Sequence, residues 1–125
     1  MQTNEARRIR VFHVDDDPDA CRLMTWLLRF EPDMEEAGYR TNAAGLPAEL
    51  ERTRADVLLI DLTMHGEDPI DAIREVRQTL PQVRIVVLSG SSDPDRLRLA
   101  REAGAVKCVL KSPEIDSTLN AIRSA

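Results

Sequence analysis

The chain has 125 residues, 42% of them hydrophobic and 31% charged, with 22 acidic against 17 basic side chains and a formal net charge of −5. That length suits one domain, residues 1–125, with enough buried surface to need no metal or disulfide staple. The acidic balance, four aromatic residues and two cysteines argue against a nucleic-acid binder or a disulfide scaffold, and no apolar run approaches a membrane span or a secretory signal, so a cytoplasmic protein is expected.

In chain order, Ile9 to Val14 reads as a buried strand, with His13 packed inside it. Ala20, Leu23, Met24 and Leu27 recur at helical spacing and predict the inward stripe of a first helix, capped by one of Asp15, Asp16, Asp17 and Asp19. A second strand lies around Glu36 to Arg40, and a helix about Pro47 to Arg54 turns Leu46 and Leu50 inward. Val57 to Ile60 is the third strand, and Ile70, Ile73, Val76 and Leu80 mark the helix after it. Ile85 to Leu88 follows; Asp93-Pro94 then reads as a cap and first turn before Leu97, Ala100 and Ala103, with Gly104 ending that helix. Val106 to Leu110 is the last strand, and Ser112-Pro113-Glu114 starts a last helix that faces Ile115, Leu119 and Ile122 inward. Strand and helix alternate throughout, and the runs Val57 to Ile60 and Ile85 to Leu88 are apolar at every position rather than alternating. Both features predict an α/β fold, a doubly wound parallel sheet covered on both faces in three layers.

Polar residues follow directly on four of these strands: Asp15 and Asp16 after Val14, Asp61 after Ile60, Ser89 after Leu88 and Lys111 after Leu110. In a parallel sheet all carboxyl ends lie along one edge, where ligands of such folds bind. Three carboxylates gathered there repel one another, and a hard divalent cation such as Mg²⁺ relieves the conflict. Carboxylates, a metal, a lysine and a hydroxyl are the parts that phosphoryl transfer requires. One carboxylate can itself be the nucleophile, giving an acyl phosphate, and Asp61 is the candidate because it projects alone from a central strand.

The ordered set Val14-Asp15-Asp16-Asp17-Pro18, Asp61-Leu62-Thr63-Met64, Val87-Leu88-Ser89-Gly90 and Ala103-Gly104-Ala105 through Lys111 resembles the receiver domain of two-component response regulators over about residues 9 to 123. The resemblance implies a flavodoxin-like five-stranded sheet of order 2-1-3-4-5. It further implies phosphorylation of Asp61 by a sensor histidine kinase or phosphotransfer protein. Mg²⁺ would be held by Asp16, Asp61 and the backbone carbonyl of Thr63, with Asp15 acting mostly through water. Lys111 would hold one phosphoryl oxygen and Ser89 would swing in to another, while Thr63 and Ser91 occupy the two positions that tune hydrolysis. The only reaction implied is on the protein's own aspartyl phosphate. A receiver-like interaction adaptor without phosphorylation is the alternative, and an enzyme with an outside substrate is the weakest reading.

Four departures from the pattern stand out. Cys108 occupies the place of the usual switch aromatic and reads as a small buried strand residue, while His65 and Pro69 stand where proline and glycine are usual. His65 is expected to be a solvated loop residue, with a place near the phosphoryl group as the alternative. Lys111-Ser112-Pro113 replaces Lys-Pro, as in the branch with LuxR-type DNA-binding domains, and a cis Lys111-Ser112 bond would cost about 3 kcal/mol. With no helix-turn-helix after it, the chain reads as a stand-alone receiver or one lacking its C-terminal output domain. Trp26 and Phe30, beside the first helix's stripe, either contact the kinase with Arg22 or Arg29 or close over the core. The helix bearing Arg96, Arg98 and Arg101 is solvated or forms an output or homodimer face.

Overall fold

The computed structural model describes residues 7–125. Five strands, β1 (Ile9–Val14), β2 (Met34–Arg40), β3 (Val57–Asp61), β4 (Arg84–Ser89) and β5 (Ala105–Leu110), alternate with five helices, α1 (Pro18–Leu28), α2 (Leu46–Arg52), α3 (Pro69–Thr79), α4 (Pro94–Ala103) and α5 (Asp116–Ser124). All neighbouring strands pair in parallel, in the order β2-β1-β3-β4-β5. The chain reverses its direction of winding between β1 and β3, so the carboxyl ends of these two central strands flank the switch point where doubly wound folds place their ligands.

The unbroken apolar runs follow from this layering. Leu58 and Ile60 of β3 join Phe12, Val14, Ile85 and Val87 in one core with α2, α3 and α4. The alternate residues Val57 and Leu59 join Val11, Val86 and Leu88 in a second core with α1 and α5. All four apolar residues of β3 are fully buried, each contributing about 1.5–3 kcal/mol relative to exposure.

Asp17, Asp68 and Asp93 cap α1, α3 and α4, each accepting a hydrogen bond from the backbone N–H two residues on, and a proline opens each helix. Gly104 ends α4 at φ +138°, and a Cβ there would stand 2.9 Å from Cβ of Arg77. That turn delivers the chain into β5 and so places Lys111 at the strand's end.

The inward stripe of α1 differs from the predicted one. Cys21, Met24 and Leu28 are buried, whereas Leu23 is 56% exposed. Trp26 and Phe30 are also exposed and meet edge to face with centroids 4.8 Å apart, so they pack on each other and do not close over the core. Apolar residues cover more than half of this helix's circumference, so periodicity offers two stripes and burial against the sheet selects between them. The last helix also starts later than expected, at Asp116: Ser112 Oγ accepts from the N–H of Glu114 in a turn that α5 does not include. Cys108 is half-buried on the edge strand β5, and no cis peptide occurs among the described residues, Lys111-Ser112 included.

Candidate phosphoacceptor and metal site

Asp15 leaves the end of β1 and Asp61 is the last residue of β3; both are only 2% exposed. Lys111 reaches from the end of β5 and lays its ammonium between them, with Nζ 3.1 Å from Asp15 Oδ2 and 3.2 Å from Asp61 Oδ2. Its own backbone N–H donates to the carbonyl of Ser89 at 2.7 Å, tying the ends of β4 and β5 together. Backbone donors orient the carboxylates: the N–H of Asp17 donates to Asp15 Oδ1 at 2.9 Å and that of Thr63 to Asp61 Oδ1 at 2.9 Å. Cys21 adds a link from α1, donating Sγ–H to the carbonyl of Asp15 at 3.2 Å, and burial pushes its thiol up to about 11.

Asp16 stands at the rim. Its Oδ2 accepts the backbone N–H of His65 at 2.9 Å and lies 2.8 Å from His65 Nδ1, although the His65 side chain is 90% exposed. The expected solvated histidine is therefore also a member of the site, because the loop after β3 brings it over the loop after β1. Ser89 is buried at the end of β4, where its hydroxyl donates to the carbonyl of Ser91 and accepts from the N–H of Ser91 at 3.1 Å. Its hydrogen bonds are thus to its own loop.

These contacts set the charges. Burial pushes the Asp61 carboxyl up, helped by the like charge of Asp15 and opposed by the Thr63 N–H and Lys111. Burial also works against the Lys111 ammonium, but hydrogen bonds and charges from Asp15 and Asp61 outweigh it and hold that group above the ordinary lysine value. The backbone N–H of His65, with its ring, holds Asp16 below the ordinary carboxylate value.

Asp15, Asp16 and Asp61 each offer an oxygen within 4.8 Å of the others. Three carboxylates thus face one ammonium, an excess of two negative charges presented by hard oxygen donors. This donor set fits a divalent cation of the Mg²⁺ or Ca²⁺ type better than a soft metal. The cluster can hold such an ion and bring it beside the Asp61 oxygen.

Residues 11–123 match the response regulator receiver domain. The chain belongs to that family. Among curated relatives, this receiver domain is 32% identical over 118 residues to the transcriptional regulatory protein LiaR of Bacillus subtilis, covering 94% of this chain and 56% of LiaR. It is 24% identical over 115 residues to the response regulator protein VraR of Staphylococcus aureus, covering 92% of this chain and 55% of VraR. The chain therefore spans about half the length of the curated relatives it matches. Among solved structures, a LuxR-family two-component response regulator from Aurantimonas superposes with a TM-score of 0.85 at 26% identity, over 94% of this chain and 84% of that one. The response regulator domain of Thermotoga maritima CheB shares the fold, with a TM-score of 0.84 at 22% identity over 95% of this chain and 96% of its own.

The five strands, their order and the gathering of Asp15, Asp16, Asp61 and Lys111 agree with the expectations from sequence. Sequence reasoning missed the Cys21 contact with Asp15 and the bonds from His65 to Asp16, though it allowed His65 a place near the site. Neither has a spacing signal, since each depends on how one loop lies against a neighbour. No helix among the described residues is long and apolar enough to cross a membrane.

Proposed function

We propose that Asp61 is the phosphoacceptor of this receiver domain, in a reaction that requires a divalent cation, and that the modification switches a partner-binding surface. The observation that carries the reading is the Lys111 ammonium set between Asp15 and Asp61, beside a third carboxylate, at the switch point of the sheet.

Asp61 Oδ attacks the phosphorus of a phosphohistidine on a kinase or phosphotransfer partner; the P–N bond breaks, its electron pair stays on the imidazole, and an acyl phosphate forms. Asp15, Asp16, Asp61 and the carbonyl of Thr63 would hold Mg²⁺, which supplies neutralisation of phosphoryl oxygens when bound. Lys111 exchanges one carboxylate partner for a phosphoryl oxygen at little cost in reach. Ser89 must release Ser91 to donate to a second oxygen, and that exchange pulls the loop after β4 inward. Attack of water on the acyl phosphate returns the carboxylate and inorganic phosphate, so the only turnover is on the protein itself.

The length of the relatives supports a receiver that works beside a further output segment, with residues 1–125 as its single receiver unit, and the family alone suggests the cytoplasm as its place. The alternative, an adaptor that no longer phosphorylates, draws on the two hydrogen bonds by which His65 holds Asp16.

Incubation with ³²P-labelled acetyl phosphate and Mg²⁺ decides between them. Label is expected on the wild type and lost in Asp61→Asn and with chelator. Label retained in Asp61→Asn would overturn the assignment, and cation binding without label would favour the adaptor.

A further inference from the structure

Opposite the acidic cluster, at the edge of the sheet where the strands begin, the chain gathers arginines. Arg7 precedes β1, Arg10 is the second residue of that strand, and Arg52 and Arg54 stand at the end of α2. A cavity of about 580 Å³ opens between them, lined by these four residues with Ala37 and Thr53 and by no carboxylate. Its β2 wall is irregular: Glu36 pairs with Val11 and Gly38 with Phe12, so Ala37 is an extra residue that bulges the strand beside the cavity.

Carboxylates outside the lining hold three of the guanidiniums. Asp56 Oδ1 lies 2.8 Å from Arg7 Nη2, and Glu49 accepts two hydrogen bonds from Arg52 at 2.9 and 3.1 Å. Glu35 pairs with Arg10, whose Nε–H also donates to the Thr53 carbonyl at 2.9 Å. Each guanidinium carries five N–H donors, so these bonds fix its plane and leave donors over for a ligand. Arg54 differs. It forms no ion pair among the described residues, and its φ of +55° is the one positive value there at a residue other than glycine. It follows the C-cap Thr53 of α2, the place where glycine carries no steric cost. Backbone preference thus favours glycine, yet the chain supplies a fourth guanidinium to the cavity.

Planar forks of donors suit phosphoryl oxygens, which accept them in pairs, and four forks exceed what one phosphoryl group can satisfy. No aromatic or large apolar side chain lines the cavity, so charge and donor geometry carry the recognition. We propose that this cavity binds a small anion with two or more linked phosphoryl groups, the unit shared by inorganic polyphosphate and nucleoside diphosphates. Arg52 and Arg54 hold it from α2, and Arg7 and Arg10 hold it from the start of β1. The site does not involve Asp61 and does not depend on its phosphorylation.

Calorimetric titration of the full chain in EDTA tests this, because no cation is then present to draw phosphates to the acidic cluster. Pyrophosphate is expected to bind saturably at one site per chain, about tenfold more tightly than sulfate at equal ionic strength. Arg54→Gly relieves the backbone, so it should melt no lower than the wild type and yet bind pyrophosphate about tenfold more weakly. Arg52→Gln should weaken binding on the same scale, whereas Arg98→Gln, which removes an equal charge from α4, should bind as the wild type does. No saturable binding, equal affinity for sulfate, full affinity in Arg54→Gly and Arg52→Gln, or an equal loss in Arg98→Gln would each overturn the site. ADP separates the two sources. Tighter binding than pyrophosphate supports the site and assigns it to nucleotides, while equal or weaker binding supports it as a seat for inorganic polyphosphate.

Discussion

His65 holds Asp16 twice: its backbone N–H donates to Oδ2 at 2.9 Å and its Nδ1 lies 2.8 Å from the same oxygen. A cation entering the cluster needs an oxygen of Asp16, so the imidazole competes with it for that lone-pair density. Removing the ring leaves the backbone bond and frees one acceptor position. His65→Ala is therefore expected to tighten Mg²⁺ binding about threefold, the scale of one exposed hydrogen bond. Calorimetric titration of the unphosphorylated protein measures it. Weaker binding in the variant would show that His65 assists the metal instead.

Asp61 gives a pH-dependent stability of known sign. Its folded value lies above the ordinary 3.8 because burial disfavours the carboxylate, so the unfolded chain ionises first. The folded state is then penalised above its raised value, and the penalty vanishes once the pH falls below the ordinary one. Without divalent cation, Asp61→Asn should melt a few degrees higher than the wild type at pH 7, and the gap should close as the pH falls through 3.8. A gap that persists or widens in acid would mean that amide packing, and not relief of a buried charge, stabilises the variant.

Lys111 is the counter-charge for both buried aspartates. Removing it leaves two carboxylates with 2% exposure and no ammonium. Such a loss costs 3–5 kcal/mol in a dry interior, and the 39% exposure of the lysine side chain scales it to about 2 kcal/mol for Lys111→Met. A divalent cation should take over the neutralising role, so saturating Mg²⁺ is expected to raise the melting temperature of Lys111→Met more than that of the wild type. An equal or smaller rise would show that the ion does not sit between these carboxylates.

The acidic cluster is legible in the sequence because topology does the assembling: parallel strands put Asp15, Asp61, Ser89 and Lys111 on one edge wherever the loops lie. Orientation within the cluster was not readable. Whether Ser89 points at the site or at Ser91 depends on a loop torsion, and His65 reaches Asp16 only because two loops cross. The same distinction explains α1. Its existence follows from the spacing of Ala20, Leu23, Met24 and Leu27, but its rotation follows from Cys21 docking on the Asp15 carbonyl, a contact between elements that no period encodes.

His13 predicts an acid sensitivity opposite in sign to that of Asp61. Burial lowers its value from 6.5 to about 4, with Asp15 opposing that change and Lys111 adding to it. Below pH 6.5 the unfolded chain takes up a proton that the folded chain refuses, so stability falls as the pH drops toward 4. Over that window the loss amounts to about 3 kcal/mol, from 1.36 kcal/mol per pH unit. His13→Leu removes the group and should flatten this part of the profile while leaving the Asp61 contribution in place. Urea unfolding of both proteins at pH 7 and pH 4 provides the comparison, read as the difference between them at each pH. If the wild type loses no more stability than His13→Leu, the imidazole is being protonated or hydrogen-bonded inside the fold.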